Sequence, residues 1–189
     1  MVADNQRQGS GRLEMGWTRT ATEVVHRGPF IALNRDTVIR PDGSDGIYEH
    51  ITVDDGVRVV ALDNQGRVAL VEDDFYLQQR RALHLPGGGS DGQEPQAAAL
   101  RELKEEAGLV ATDVRPLGVI DPLPAATTAR THLFLATGLR AGTVDRDDTE
   151  VGMTVHWWKF NEALAAVRAG RITEAGSVAG LLLAAHVQG

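Results

Sequence analysis

The sequence predicts an α/β fold, on three observations. Residues 21–62 alternate apolar and polar positions in short runs broken by Gly28-Pro29 and Pro41-Asp42-Gly43, the pattern of strands joined by turns. Residues 95–107 repeat apolar positions at helical spacing between a starting proline and a stopping glycine. Residues 161–185 carry two further helical signals. At 189 residues the chain suits one domain with a real core and a small extension.

In chain order, residues 1–20 are polar, with Gly9, Ser10 and Gly11, and read as a flexible tail or the start of an exchanged arm. Residues 21–55 form a β subdomain with a hairpin at Pro41-Asp42-Gly43. Residues 56–189 form the second domain. Its first strand pair, 57–62 and 67–71, flanks a turn at Asn64-Gln65-Gly66. Pro95 opens a helix that Gly108 ends, and Leu100, Leu103 and Ala107 fall on the side expected to face the core. Strands over 114–120 and 132–136 surround Asp121-Pro122-Leu123-Pro124, whose small residues through Thr128 indicate mobility more than chemistry. A last strand ends in Trp157 and Trp158, one of which packs. Asn161 caps a helix running to Ala169 and stopped by Gly170. Thr173 starts another, with Val178, Leu181, Leu182 and Ala185 in its apolar stripe.

Composition narrows the function. A net charge of −7 and a pI near 5.3 leave no electrostatic case for a nucleic-acid polymer or an anionic membrane. An acidic protein that binds a phosphate substrate needs cations. Without cysteine there are no disulfides and no thiolate zinc site, which fits a cytoplasmic protein. No apolar run is long enough to span a bilayer, and the N-terminus lacks a signal-peptide core. The six histidines are spread out and form no close metal-ligand pair.

The chemistry concentrates in residues 85–109, LPGGGSDGQEPQAAALRELKEEAGL. Glu102, Glu105 and Glu106 lie at i, i+3 and i+4, so they share one stripe beside the apolar one. Crowded carboxylates repel one another unless water or a cation screens them. Hard divalent cations such as Mg²⁺ take oxygen ligands and bring phosphates with them. Taken alone, a glutamate stripe is usually a solvated helix face. The glycines at 87, 88 and 89 change that balance, because they let a backbone come close to a ligand and expose its polar groups.

This stretch resembles the Nudix box, G-x5-E-x7-R-E-U-x-E-E-x-G-U with U an aliphatic residue. Gly87, Arg101, Glu102, Leu103, Glu105, Glu106, Gly108 and Leu109 match it. The first glutamate of the pattern falls instead on Gln93, with Glu94 beside it. In the family that glutamate partners the helix arginine more than it binds metal. The change therefore weakens a supporting contact, or Glu94 takes over after a small loop shift.

The resemblance implies a Nudix fold, a mixed sheet packed between helices. The N-terminal strands are similar to those of the ADP-ribose pyrophosphatase branch, whose small β subdomain is often exchanged or packed across a homodimer. By this resemblance Glu102, Glu105 and Glu106, with the Gly87 or Gly88 carbonyl, hold Mg²⁺ or Mn²⁺. Glu105 and Glu106 are then catalytic, together with a carboxylate from the acidic run at 145–150; Glu150 is the first choice and Asp148 the second. Arg101 orients a carboxylate, while Arg80, Arg81 and Gly88 are candidate substrate contacts.

Two places depart from the branch. Where its members often carry a basic, aromatic strand end, this chain reads Glu72-Asp73-Asp74-Phe75-Tyr76, and His84 precedes Leu85. Acidic groups there repel a diphosphate unless metals intervene, which indicates a shifted substrate, extra metal ligands, or simply a solvated strand end. His84 reads as a packing or hydrogen-bonding residue. The activity implied is metal-dependent hydrolysis of a nucleoside diphosphate linked to X, foremost ADP-ribose to AMP and ribose 5-phosphate. The alternatives are a nucleotide sugar or another nucleotide by the same mechanism, or a non-catalytic sensor, for which Gln93 is the one argument.

Overall fold

The computed structural model describes residues 16–142 and 152–188. The chain divides into two compact units, Met1–Ile51 and Thr52–Gly189. The first holds a three-stranded sheet of β1 (Thr18–Arg27), β2 (Ala32–Ile39) and β3 (Asp45–Thr52), with β2 in the middle. Strand β1 thus takes in the last residues of the stretch expected as tail. Its antiparallel register with β2 pairs Thr18 with Ile39 and Arg27 with Ala32. The Pro41-Asp42-Gly43 turn forms as expected. Asp42 Oδ1 accepts from the Ser44 N–H and hydroxyl, and Gly43 takes φ 83°, which its missing Cβ permits.

The second unit has strands β4 (Gly56–Ala61), β5 (Arg67–Phe75), β6 (Arg80–His84), β7 (Leu109–Val110), β8 (Asp113–Ile120), β9 (Thr131–Thr137), β10 (Arg140–Ala141) and β11 (Thr154–Lys159). Its helices are α1 (Pro95–Ala107), α2 (Phe160–Arg168) and α3 (Ala175–Gln188). One sheet runs β4-β9-β8 and another β11-β5-β6, with β7 and β10 as a short pair. Strands β4 and β9 are parallel, and the other registered pairs antiparallel, so the architecture is the mixed α/β one expected.

The strands expected over 57–62 and 67–71 form on either side of their turn, but they do not pair with each other along their length. The turn is there, with Asp63 Oδ1 accepting from the Gln65 and Arg67 N–H groups, but β4 and β5 belong to different sheets joined by a single Leu62–Val68 bridge. A tight turn between two apolar strands does not say which neighbour each will pair with.

Two apolar layers enclose these strands. Val57, Val59, Ala61, Ala69, Phe134 and Ala136 pack with Ala98, Ala99, Leu103 and Ala107 of α1. On the other side Val60, Val68, Leu70, Leu85 and Leu135 pack with Phe160, Ala163 and Ala166 of α2 and Leu181 and Ala184 of α3. Successive β4 residues face opposite layers, as strand alternation requires.

Helix α1 starts at Pro95 and ends at Gly108, whose left-handed φ of 63° a side chain would strain. Leu100, expected in the core, is 38% exposed, whereas Ala98 and Ala99 are buried. The helix is rotated because Glu102 and Glu106 also face inward. At the C-terminus, Asn161 is not the cap: α2 begins at Phe160 after Lys159. Nor does Thr173 start α3, because the Glu174 carboxylate accepts from the Gly176 and Ser177 N–H groups and caps it. Trp158 packs on the α2–α3 layer, while Trp157 stays 36% exposed with the Arg67 guanidinium over its ring at 5.4 Å.

Candidate active site

The site is built where the glycine loop meets β4 and α1. Between Pro86 and Ser90 the chain runs antiparallel to the start of β4. The Val59 N–H donates to the Pro86 carbonyl and the Val57 N–H to the Gly88 carbonyl, each at 2.9 Å, and the Ser90 N–H donates to the Asp55 carbonyl at 2.7 Å. Gly87 lies in the middle with φ 144°, and a Cβ there would stand 2.1 Å from the Val57 carbonyl oxygen. Only glycine fits.

This strained turn aims the Gly87 N–H at the helix, where it donates to Glu106 Oε2 at 2.7 Å. Gly88 passes so close to Glu102 that a Cβ would meet Oε1 at 2.8 Å. The i and i+4 carboxylates of α1 therefore both lie against the loop, and both residues are only 5% exposed. Glu105 is turned toward Arg101, whose Nη1 donates to its Oε2 at 2.8 Å.

Arg101 gathers the remaining anions. Its Nη1 lies 2.9 Å from Glu102 Oε1, its Nη2 2.9 Å from Asp91 Oδ2, and Nη2 also donates to the Gly89 carbonyl at 2.8 Å. Burial opposes its charge, but Glu102, Glu105 and Asp91 outweigh that and hold its pKa above the ordinary value. Gln93 keeps a long contact, Oε1 accepting from Arg101 Nε at 3.4 Å. The carboxylate beside the arginine comes from Asp91, while Glu94 stands as the residue before the first turn of α1. Asp91 was not singled out from the sequence. Its left-handed φ of 50°, which lets it turn back toward Arg101, leaves no trace in the box pattern.

Among the described residues no three carboxylate or imidazole groups are gathered closely enough to cage a metal ion. The donor chemistry nonetheless suits a hard divalent cation. Three carboxylates share one side of α1, two of them buried, with the Arg101 guanidinium beside Glu102 and Glu105, and the donors they offer are oxygens. Each loop carbonyl accepts a hydrogen bond and has a second lone pair besides. That of Gly87 accepts from Arg58 Nη1, and that of Gly88 from the Val57 N–H.

The other candidates lie elsewhere on this unit. Arg81 is divided between Glu72 Oε2 at 3.5 Å and Asp74 Oδ1 at 3.6 Å, and His156 lies 3.5 Å from Glu72. The acidic strand end thus has the Arg81 guanidinium among its carboxylates. Arg80 donates to the Thr173 hydroxyl at 2.8 Å. His84 is buried, its Nδ1 2.9 Å from the Leu85 carbonyl oxygen, and burial pushes its pKa down. Its Nε2 has no hydrogen-bond partner among the described residues. Near the loop, Asp55 accepts from the Arg130 N–H and pairs with His132 at 3.1 Å. Asp148 and Glu150 lie outside the described residues. Among the described residues no helix is long and apolar enough to cross a membrane.

Residues 53–175 match the NUDIX domain. The chain belongs to the Nudix family. Nudix hydrolases generally use divalent metal ions, in keeping with the donor set on α1. Residues 17–51 of this Nudix protein match the nucleoside diphosphate sugar hydrolase N-terminal domain. An ADP-ribose pyrophosphatase of Mycobacterium tuberculosis (strain ATCC 25618 / H37Rv) is 34% identical over 165 residues, covering 86% of this chain and 80% of that protein. A CMP-5'-(N-acetyl-N-hydroxy-3-aminopropyl)phosphonate hydrolase of Streptomyces rubellomurinus (strain ATCC 31215) is 27% identical over 169 residues, covering 89% and 82%. The crystal structure of an ADP compounds hydrolase superposes with a TM-score of 0.81 at 21% identity, over 90% of this chain and 93% of that one, and shows the shared fold.

Proposed function

We propose that this Nudix hydrolase cleaves the diphosphate of a nucleoside diphosphate linked to X, with ADP-ribose as substrate and AMP and ribose 5-phosphate as products. The observation that carries this reading is the buried pair Glu102 and Glu106 pressed against a glycine loop, with Glu105 on the same helix, an all-oxygen donor set of the kind a hard divalent cation takes. The similarity to an ADP-ribose pyrophosphatase supports the substrate.

Glu102, Glu105 and Glu106, with a carbonyl from Gly87 or Gly88, would hold Mg²⁺ or Mn²⁺. When bound, such an ion neutralises the diphosphate and lowers the pKa of a bound water toward neutrality. The protein supplies the rest. Water attacks one phosphorus, the bridging P–O bond breaks, and the other phosphate leaves with the oxygen. A carboxylate orients or deprotonates that water, and Glu150 is the residue proposed for it. Arg101 keeps Glu102 and Glu105 in place without touching substrate. Arg80, Arg81 and Gly88 remain candidate substrate contacts.

A homodimer in the cytoplasm is proposed with this activity. Val24, Val25, Phe30, Ile47 and Tyr48 leave apolar surface exposed on the first unit, which a second copy would cover. A nucleotide sugar is the second reading for X, favoured by the match of residues 17–51 to a nucleoside diphosphate sugar hydrolase domain.

The test is product analysis against a panel of ADP-ribose, nucleotide sugars, dinucleoside polyphosphates and nucleoside triphosphates. AMP and ribose 5-phosphate from ADP-ribose at the highest kcat/KM is the expected result. A higher kcat/KM for a nucleotide sugar would replace the substrate and keep the chemistry. Tight nucleotide binding with no cleavage of any member would make the protein a sensor.

A further inference from the structure

Glu174 does more than cap α3. Its carboxylate accepts from the Gly176 N–H at 2.9 Å and the Ser177 N–H at 2.7 Å, which is the capping part. It also accepts from the Ser177 hydroxyl at 2.7 Å and from Arg58 Nε at 3.1 Å. Both of these partners lead to the glycine loop. Ser177 is fully buried, and its Oγ in turn accepts from the Leu85 N–H at 2.8 Å. Arg58 Nη1 donates to the carbonyl oxygens of Val57, at 3.0 Å, and of Gly87. The same residue continues to α1, because the Gly87 N–H donates to Glu106 Oε2 at 2.7 Å.

One carboxylate therefore grips the loop at Leu85 and at Gly87, and the second grip is one residue away from a carboxylate of the box helix. The packing leaves little slack. A Cβ on Gly176 would stand 2.8 Å from Arg58 Cγ, so the start of α3 is pressed onto the arginine stem. A glycine at φ 144° has no side chain of its own to hold it, and its orientation must come from its partners. Charge matters as well as geometry. An uncompensated guanidinium on the Gly87 carbonyl would set a positive charge beside the place where a cation is to bind, and Glu174 neutralises it.

We propose that Glu174 is a positioning residue for hydrolysis: through Arg58 and Ser177 it fixes the loop at Leu85 and Gly87, and so sets the placement of Glu106. This rests on the metal-dependent reading above. The separate possibility is that Glu174 only stabilises the start of α3, and the two differ in what a substitution moves.

The test uses Glu174→Gln, which keeps the shape and removes the charge, and Arg58→Lys, which keeps the charge and removes the fork between Glu174 and Gly87. Mn²⁺ binding to the substrate-free full-length protein is measured by calorimetry, beside kcat, KM and melting temperature. Both variants are expected to lose Mn²⁺ affinity and kcat by about tenfold or more, with KM little changed. Wild-type Mn²⁺ affinity and kcat in both variants, with only the melting temperature lowered, would overturn the proposal. If Glu174→Gln does not fold, Arg58→Lys decides by the same criteria. A wild-type protein that binds no Mn²⁺ and hydrolyses nothing would instead overturn the hydrolase reading, and this inference with it.

Discussion

Replacing Glu106 by Gln separates the chemistry of the site from its architecture. The carboxylate accepts from the Gly87 N–H at 2.7 Å and is 95% buried by residue, so its amide analogue can keep the hydrogen bond while losing the charge. A hydrogen bond to a charged group contributes about 1.5–3 kcal/mol and a neutral one about 0.5–1.5, so the structural loss is on the order of 1 kcal/mol. That corresponds to a melting temperature lower by about 2–4 °C for a chain of this size. Part of it is offset, because removing one of three neighbouring carboxylates relieves repulsion. The catalytic loss is much larger. Disturbing even a group behind a metal ligand costs about 10–100-fold, so removing a charged ligand should lower kcat/KM by about 100-fold or more, on the order of 3 kcal/mol in the barrier. The assay is steady-state AMP release with Mg²⁺, with circular dichroism and thermal melting alongside. A folded Glu106→Gln protein with activity within about threefold of wild type, roughly 0.7 kcal/mol, would refute the metal assignment.

Four further outcomes are expected. Gly88→Ala should fold but lose activity by about tenfold or more, because its Cβ would displace the Glu102 carboxylate at 2.8 Å. Gly87→Ala, blocked by the Val57 backbone and by φ 144°, should fold poorly or not at all in a thermal melt. Asp91→Asn should cost at most about 1 kcal/mol in stability, since its side chain is 67% exposed, and should reduce kcat only a few-fold. Adding Gln93→Glu should restore that loss if Asp91 stands in for the box glutamate. Acid stability should depend on Glu174, whose pKa lies at about 2 against an ordinary 4.5: burial would raise it, but Arg58, the Ser177 hydroxyl and two backbone N–H groups outweigh burial. The stability it contributes, on the order of 3 kcal/mol, is present above pH 4.5 and lost as pH falls toward 2. The urea midpoint of Glu174→Gln should fall less steeply over that window than that of wild type.

The box helix was legible because its signals are local. Pro95 and Gly108 mark its ends by backbone chemistry alone, and the i, i+4 spacing of Glu102 and Glu106 puts both on one face. Its rotation was not legible. Leu100 looked like a core residue, but the inward side is shared with two carboxylates, and hydrophobic periodicity reads a buried glutamate as solvent-facing. The pairing of β4 with β9, more than seventy residues later in the chain, is non-local and leaves no turn signature between them. The same reason hid Arg58 and Glu174. A lone arginine in a strand and a lone glutamate before a helix carry no spacing pattern, and their 3.1 Å contact joins positions 116 residues apart. Asp91 was missed differently. It lies inside the motif, but the pattern directs attention to the next expected glutamate and not to a left-handed aspartate two residues earlier.

The most direct measurement is the initial rate of AMP release from ADP-ribose by the purified protein with Mg²⁺, after EDTA, and after Mg²⁺ is returned in excess. The account predicts steady release of AMP and ribose 5-phosphate in equal amounts, abolished by EDTA and restored by the ion. Release that EDTA leaves unchanged would contradict the carboxylate-held metal, and with it the role given to Glu102, Glu105 and Glu106.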